Sequence, residues 1–329
     1  MAPLSPDTIW KTSKNHLLKL LDSGKLVREN KRLSFYAPSF MYYKTRHYNS
    51  QPNHFPTISL TGSSCGLNCK HCEGQILKTM HPATTPEKLY ETCQKLKQKG
   101  ALGCLISGGS QPNGSVSLKP FIPTLQKIRR ELDLNIHVHT GIIDYSTSKA
   151  LMDSGVDVAM IDVVGSDETI QNILNIGAKV EDYDASLKYL HNSGIPLVPH
   201  VIAGLHNGQL KGEYSALEMI ARYSPSALVI IAFMPVRRTS MAKIKPASPT
   251  EVARVIAVAR LLLPEIPLAL GCMRPKGKHR AETDILAIKA GVSAIAFPSD
   301  EAIEYAKNHE YTFDFSSYCC SQIYKDAVA

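Results

Sequence analysis

The sequence lacks a long apolar run: nothing in its 329 residues approaches the roughly 20 consecutive apolar residues of a membrane-spanning helix. Its opening, "MAPLSPDTIWKTSKNHLLKLLDSGK", carries charges and serines where a signal peptide needs its apolar stretch, so a cytoplasmic location and no membrane partner are expected. It has no Lys/Arg block and no aromatic platform interleaved with basic residues, which argues against nucleic acid as a partner. It also lacks the cysteine density of a disulfide scaffold. Eight cysteines in so long a chain, three of them clustered, point to metal ligation in a reducing compartment. The net charge of +8 is mild, serving either solubility or attraction to an acidic protein or an anionic substrate.

What is present is enough apolar material, 44% of residues, to bury a large core. Short runs rich in Val, Ile and Leu alternate with segments of helical period. The strand candidates are "TISL" from Thr57, "CLIS" from Cys104, "NIHVHT" from Asn135, "DVAMIDVV" from Asp157, "PLVPHVIA" from Pro196, "ALVIIAF" from Ala227, "PLALGCM" from Pro267 and "SAIAFP" from Ser293. Helix candidates lie between them. "TPEKLYETCQKLKQKG" has Thr85 to cap, Pro86 at the first helical position, Glu87 in the first turn and Gly100 at the stop. Eight strands each followed by a helix is the count for an α/β fold of the (β/α)8 TIM-type barrel, predicted at residues 57–298. An open doubly wound sheet would alternate in the same way. In a barrel, chemistry collects in the loops at the C-terminal strand ends, and those loops here gather Gly, Cys, Asp, His and Arg. Residues 1–56 read as an N-terminal helical extension, with Trp10, Leu17, Leu18 and Leu21 on one helix face, packed as a lid across the barrel's lower end. Residues 299–329 read as a C-terminal helix and a cysteine-containing tail.

Cys65, Cys69 and Cys72 fall within eight residues, directly after the first strand. A structural zinc would need a fourth ligand, for which His54, His71 or His81 is at hand. A 4Fe-4S cube fits three thiols differently, since three thiolates leave one iron open to a small molecule at the barrel mouth.

The spacing Cys65-x3-Cys69-x2-Cys72 on this loop resembles the signature of the radical S-adenosylmethionine (SAM) superfamily. The resemblance implies that Cys65, Cys69 and Cys72 are the catalytic metal ligands of a 4Fe-4S cluster. Its open iron would chelate SAM, whose reductive cleavage gives a 5'-deoxyadenosyl radical. It places His71 near the adenine. "SGGS" at the end of the second strand matches the motif that binds the methionyl amino group, giving Ser107, Gly108 and Gly109 as cofactor-binding residues, although Ser110 stands where the family has an acid. Glycine suits such a motif because it lets backbone approach the ligand closely. Asp162 in "IDVVGSDE" and Gly204 in "VIAGLHNG" stand where the family contacts ribose and adenine. Asp162 as a satisfied buried acid is the competing reading.

Across residues 57–298 the likeness is to the biotin-synthase-like branch, in which a second cluster sits inside the barrel, held by cysteines on successive strands and an arginine. Cys104 and Arg274 match two of those positions. The other two cysteines are absent, with His139 and Thr140 in the third-strand region and His200 on the fifth strand. Four thiols remain outside the first loop: Cys104, Cys272, Cys319 and Cys320, Cys93 being read as a packed helix residue. The tail is therefore expected to fold over the barrel mouth and to help these four hold a second 4Fe-4S cluster. "SSY", Ser316 to Tyr318, is similar to the C-terminal Arg-Ser-Ser-Tyr of lipoyl synthase, with Phe315 in place of the arginine.

Together these segments most resemble a component of the two-component lipoyl synthases, which implies sulfur insertion into an octanoyl chain. The implied partners are a second, related radical SAM component, an octanoylated lipoyl-carrier protein and an electron donor such as ferredoxin or flavodoxin. Arg237, Arg238, Lys276, Lys278, His279 and Arg280 would dock that carrier or the SAM carboxylate, or else are solvated loop charge. Two alternatives stand beside this reading. One is a radical enzyme of the same branch that inserts no sulfur, of the methylornithine-synthase or hydrogenase-maturase type; the other is a non-catalytic iron-sulfur scaffold.

Overall fold

Aliphatic-rich runs of four to eight residues, too short for stable helices and flanked by turn formers, become the strands of one sheet. In the computed structural model, which describes residues 4–326, the eight strands expected from the sequence all form. The first three residues of the expected extension and the last three of the expected tail lie outside the described residues. The strands are β1 (Arg32–Tyr36), β2 (Thr57–Ser59), β3 (His81–Pro82), β4 (Gly103–Ser107), β5 (Asn135–His139) and β6 (Val158–Asp162). They continue with β7 (Leu197–Ala203), β8 (Leu228–Ala232), β9 (Leu268–Leu270), β10 (Ala294–Ala296) and β11 (Thr312–Ser316). Every pairing is parallel, in the order β11-β1-β10-β9-β8-β7-β6-β5-β4-β2-β3.

The eight expected strands are β2 and β4 to β10. Among the described residues no backbone ladder joins β2 to β10; β1 and then β11 add beyond β10, so the sheet is curled and open. β1, β3 and β11 went unread because β3 has only two residues, while "RLSFY" and "TFDFS" lie outside the strand–helix repeat.

Strand parity divides the core in two. Val158, Met160, Val198, Val229, Ala269 and Ala294 face the inside of the curl, while Ala159, Ile161, Val201 and Ile230 pack outward under the helices. Helix Pro86–Gln98 forms as its sequence predicts: Thr85 accepts a hydrogen bond from the Lys88 N–H, and Pro86 occupies the first turn.

The N-terminal extension differs from expectation. Ser13 caps a new helix through the His16 N–H, so the single amphipathic helix is two, Pro6–Lys11 and Lys14–Asp22. Both pack on the flank against helix Pro249–Leu262 rather than across the lower end. Arg254 of that helix donates to the carbonyls of Ile9, Trp10 and Thr12 at 2.7, 3.1 and 2.8 Å. These helices supply a cover that helix Pro249–Leu262 needs, because it is apolar almost all round.

The tail also differs. It does not cover the mouth at the C-terminal strand ends. After β11 it turns into the curl, where the turn Cys320–Gln322 packs against β6, β8 and β10. Tyr324 Oη then donates to the carbonyl of Asp157, at the start of β6, at 2.8 Å. The small side chains of Ala227, Ala269, Ala294 and Ala296 leave the lower interior unfilled, and Cys319, Cys320 and Ile323 occupy it.

Candidate functional site

A cavity of about 570 Å³ occupies the upper interior of the curl. Cys65, Cys69 and Cys72 line it, on the loop between β2 and β3. That loop is held from two sides. Thr61 Oγ1 accepts from the Gly109 N–H and donates to the Ser64 carbonyl, both at 2.7 Å. Gly66 N–H donates to the Ser110 carbonyl at 2.8 Å, and Lys70 N–H to the Ile173 carbonyl at 2.9 Å. Glu73 adds a tether that sequence reading missed, accepting from the N–H and hydroxyl of Ser240 at 2.7 and 2.5 Å.

The glycine motif works by close approach. A Cβ on Gly109 would stand 2.0 Å from the Ser64 carbonyl oxygen and 2.5 Å from Cys65 Cα, so any side chain there displaces the cysteine loop. Gly108 and Ser107 also line the cavity, with the Ser107 hydroxyl donating to the His139 carbonyl at 3.2 Å. Cys69 donates to the Leu174 carbonyl at 3.0 Å, and the neighbouring Cys69 and His71 lower the Cys72 thiol despite burial. Cys69 is raised as the protonated partner. His71 lines the cavity with a buried Nδ1 that has no partner. Three adjacent thiols, one already favoured as thiolate, beside an unpartnered imidazole nitrogen and a side-chain-free backbone edge fit a 4Fe-4S cluster with bound SAM.

Asp162 lines the same cavity, 3.5 Å from His139 Nε2. Burial alone would raise its carboxyl, but His139, with His200 and His71, holds it down at about 2. His200 moves the other way, to about 4, because burial disfavours its charged form. Gly204 serves the backbone instead of the cavity: it turns the chain at φ +78°, and its N–H donates to Glu213 Oε1 at 2.8 Å. Its neighbours Ile202 and Leu205 are the residues that reach the cavity.

Of the four thiols outside the first loop, three meet. Cys272, Cys319 and Cys320 line the inner part of the same cavity. Burial, with Cys319 close by, pushes Cys272 up to about 12. Cys319 is lowered by hydrogen bonds from Cys320 first and also from His137 and Ser321, and Cys320 is raised. Ser321 Oγ bridges Cys319 Sγ at 3.1 Å and His137 Nδ1 at 2.9 Å.

Cys104 does not join them. On β4 it has the opposite parity to Leu105 and Ser107, so it faces outward and hydrogen-bonds Cys93 in the helix-side core. Arg274 is also outside the cavity lining. Its guanidinium is fully buried and committed to Asp284 at 2.7 Å, to the Gly271 carbonyl at 2.6 Å and to the Phe297 carbonyl at 3.1 Å. In the basic run, His279 is bonded to the Ala247 carbonyl at 2.8 Å and Arg280 is partly buried, while Lys276, Lys278, Arg237 and Arg238 are exposed.

Residues 59–210 match the Radical SAM superfamily. Over that span, a little under half of its length, the chain is similar to this family. It is 24% identical over 280 residues to a biotin synthase of Buchnera aphidicola, covering 80% of this chain and 78% of that protein. It is 22% identical over 251 residues to a 3-methylornithine synthase of Methanosarcina acetivorans, covering 75% and 68%. Among solved structures, a methylornithine synthase superposes with a TM-score of 0.58 at 17% identity, covering 90% of this chain and 86% of that one. An FeFe-hydrogenase maturase of Carboxydothermus hydrogenoformans gives 0.62 at 13%, covering 94% and 75%. These two structures show the shared fold. The sequence likeness is thus to the radical SAM superfamily and, within it, to a biotin synthase and a 3-methylornithine synthase.

Proposed function

We propose that this chain is a radical SAM enzyme, with a 4Fe-4S cluster and SAM as its cofactors, and that it acts on a largely apolar substrate held inside the curl, between the loop of Cys65, Cys69 and Cys72 and the thiols of Cys272, Cys319 and Cys320. The observation that carries this is that both thiol groups open onto one cavity whose walls include Leu67, Val116, Ile142, Val229, Ile231 and Phe233. The cluster and SAM supply, when bound, a 5'-deoxyadenosyl radical strong enough to take hydrogen from an unactivated carbon. The chain's own part is to bind and shield. His71 faces the cofactor, Gly108 and Gly109 admit it to the backbone edge, and the apolar walls exclude water from the radical.

Two finer readings follow from different observations. The likeness to a 3-methylornithine synthase supports radical chemistry without sulfur insertion, as a methylornithine-synthase or maturase type would perform. The meeting of Cys272, Cys319 and Cys320 favours sulfur insertion. These thiols would hold a second 4Fe-4S cluster, which would supply sulfur. On that reading the substrate is the octanoyl chain of a lipoyl-carrier protein, worked on with a second, related radical SAM component and a ferredoxin or flavodoxin as electron donor.

Anaerobic reconstitution and mass analysis separate the two. Sulfur insertion requires about eight iron per chain, falling to about four in Cys319→Ala/Cys320→Ala, and a sulfur mass gain on an octanoyl-lysyl peptide when the partner component is present. About four iron in both proteins and no mass gain would leave the reading without sulfur.

A further inference from the structure

His139, Asp162 and His200 form a further cluster of possible ligands in the cavity, with the Cys319 thiol near both histidines. They stand on three neighbouring strands, β5, β6 and β7, and Asp162 and His200 are register partners across β6 and β7. Each offers one ligand atom, and the three atoms lie within 4.8 Å of one another. The side chain of Asp162 keeps 41% of its surface and that of His139 23%, and both line the cavity. The His139–Asp162 separation of 3.5 Å is long for a hydrogen bond, so the two side chains are adjacent without being locked together.

His200 supplies a second, independent observation. Its Nδ1 lies 3.1 Å from the Val198 carbonyl, and because a carbonyl only accepts, Nδ1 carries the proton. With Nδ1 committed to that carbonyl, Nε2 is the ring nitrogen left to serve as a ligand. A ring nitrogen donating to a backbone carbonyl while its partner is left as acceptor is the arrangement that fixes histidines as metal ligands. Metal–ligand bonds of about 2.0–2.2 Å set ligand atoms roughly 3–3.6 Å apart, so closing this group on an ion takes only small side-chain rotations.

We propose that His139, Asp162 and His200 form a mononuclear divalent-cation site inside the cavity, separate from any iron-sulfur cluster. Two imidazoles and one carboxylate suit a first-row divalent ion and leave coordination positions open. Those positions face the cavity that we assign to the substrate. They would take a carboxylate or amine on that substrate and so fix its orientation beneath the cysteine loop. This gives Asp162 a ligand other than the ribose expected from its place in the sequence.

The test is titration of the anaerobically reconstituted protein with Mn2+, followed by electron paramagnetic resonance. Mn2+ is the probe because thiolates compete poorly for it. One bound ion per chain is expected, with electron spin-echo modulation from two imidazole nitrogens. Asp162→Asn and His200→Gln should each weaken binding at least about 10-fold at an unchanged melting temperature. The proposal is overturned by no binding up to about 1 mM Mn2+, by bound Mn2+ without nitrogen modulation, or by binding that folded variants leave intact. If the variants fail to fold, the nitrogen modulation of the unmodified protein decides alone. None of these readouts depends on turnover.

Discussion

Arg274 Nε lies 2.7 Å from Asp284 Oδ1, and neither side chain has any exposed surface. The pair is completed by two backbone carbonyls on the arginine and by the Ser299 N–H on the other carboxylate oxygen at 2.8 Å. It pins the segment after β9 to helix Lys278–Lys289 and to the end of β10.

Arg274→Ala strands a buried carboxylate, which costs about 3–5 kcal/mol. Chemical denaturation of the anaerobic protein should show that loss, while iron per folded chain stays at the wild-type value. Iron lost in proportion to one cluster, without a loss of stability, would instead restore the ligand role implied by the sequence resemblance.

Gly109→Ala should keep the fold and damage the site. The added methyl group meets the Ser64 carbonyl and Cys65 Cα, so the cysteine loop must shift. We expect an unchanged far-ultraviolet circular dichroism spectrum and a drop in SAM affinity of about 10-fold or more, measured by equilibrium dialysis on the reconstituted protein.

Cys104→Ala and Cys272→Ala should part company. Cys104 packs outward against Cys93, so its loss should leave iron content and the visible spectrum unchanged and cost about 1 kcal/mol of packing at most. Cys272→Ala should lower iron and sulfide together if the inner thiols hold a cluster.

Glu213 sets a pH dependence. Burial raises its carboxyl to about 7 against an ordinary 4.5, opposed only in part by the Gly204 N–H, and Oε2 has no partner. Between those two values the native state holds more protons than the unfolded one, so this group's contribution falls as pH rises and is lost above about 7. Glu213→Gln should therefore stabilise the protein at pH 8 by something on the order of 1–3 kcal/mol and be near neutral at pH 5, read from melting curves at the two values.

The eight central strands were legible because each is an aliphatic run between turn formers, and the cysteine loop because its spacing carries the chemistry by itself. Legibility failed where position in space mattered more than residue type. Cys104 was grouped with the inner thiols because its strand was recognised but its parity was not used: Ser107 faces the cavity, so Cys104, three residues earlier, must face away. The same alternation would have placed His137 and His139 on one face. Arg274 looked like a ligand because Asp284, ten residues later, gives no sign in the sequence that it is its partner. The tail's entry into the lower interior depends on four alanines from two strands and the segment before β8, which no local pattern connects.

The most direct test of the account is reductive cleavage of SAM. The anaerobically reconstituted protein, given SAM and dithionite, should form methionine and 5'-deoxyadenosine, and Cys72→Ala should form neither. A wild-type chain that holds a full 4Fe-4S cluster, binds SAM and still yields no 5'-deoxyadenosine would contradict it.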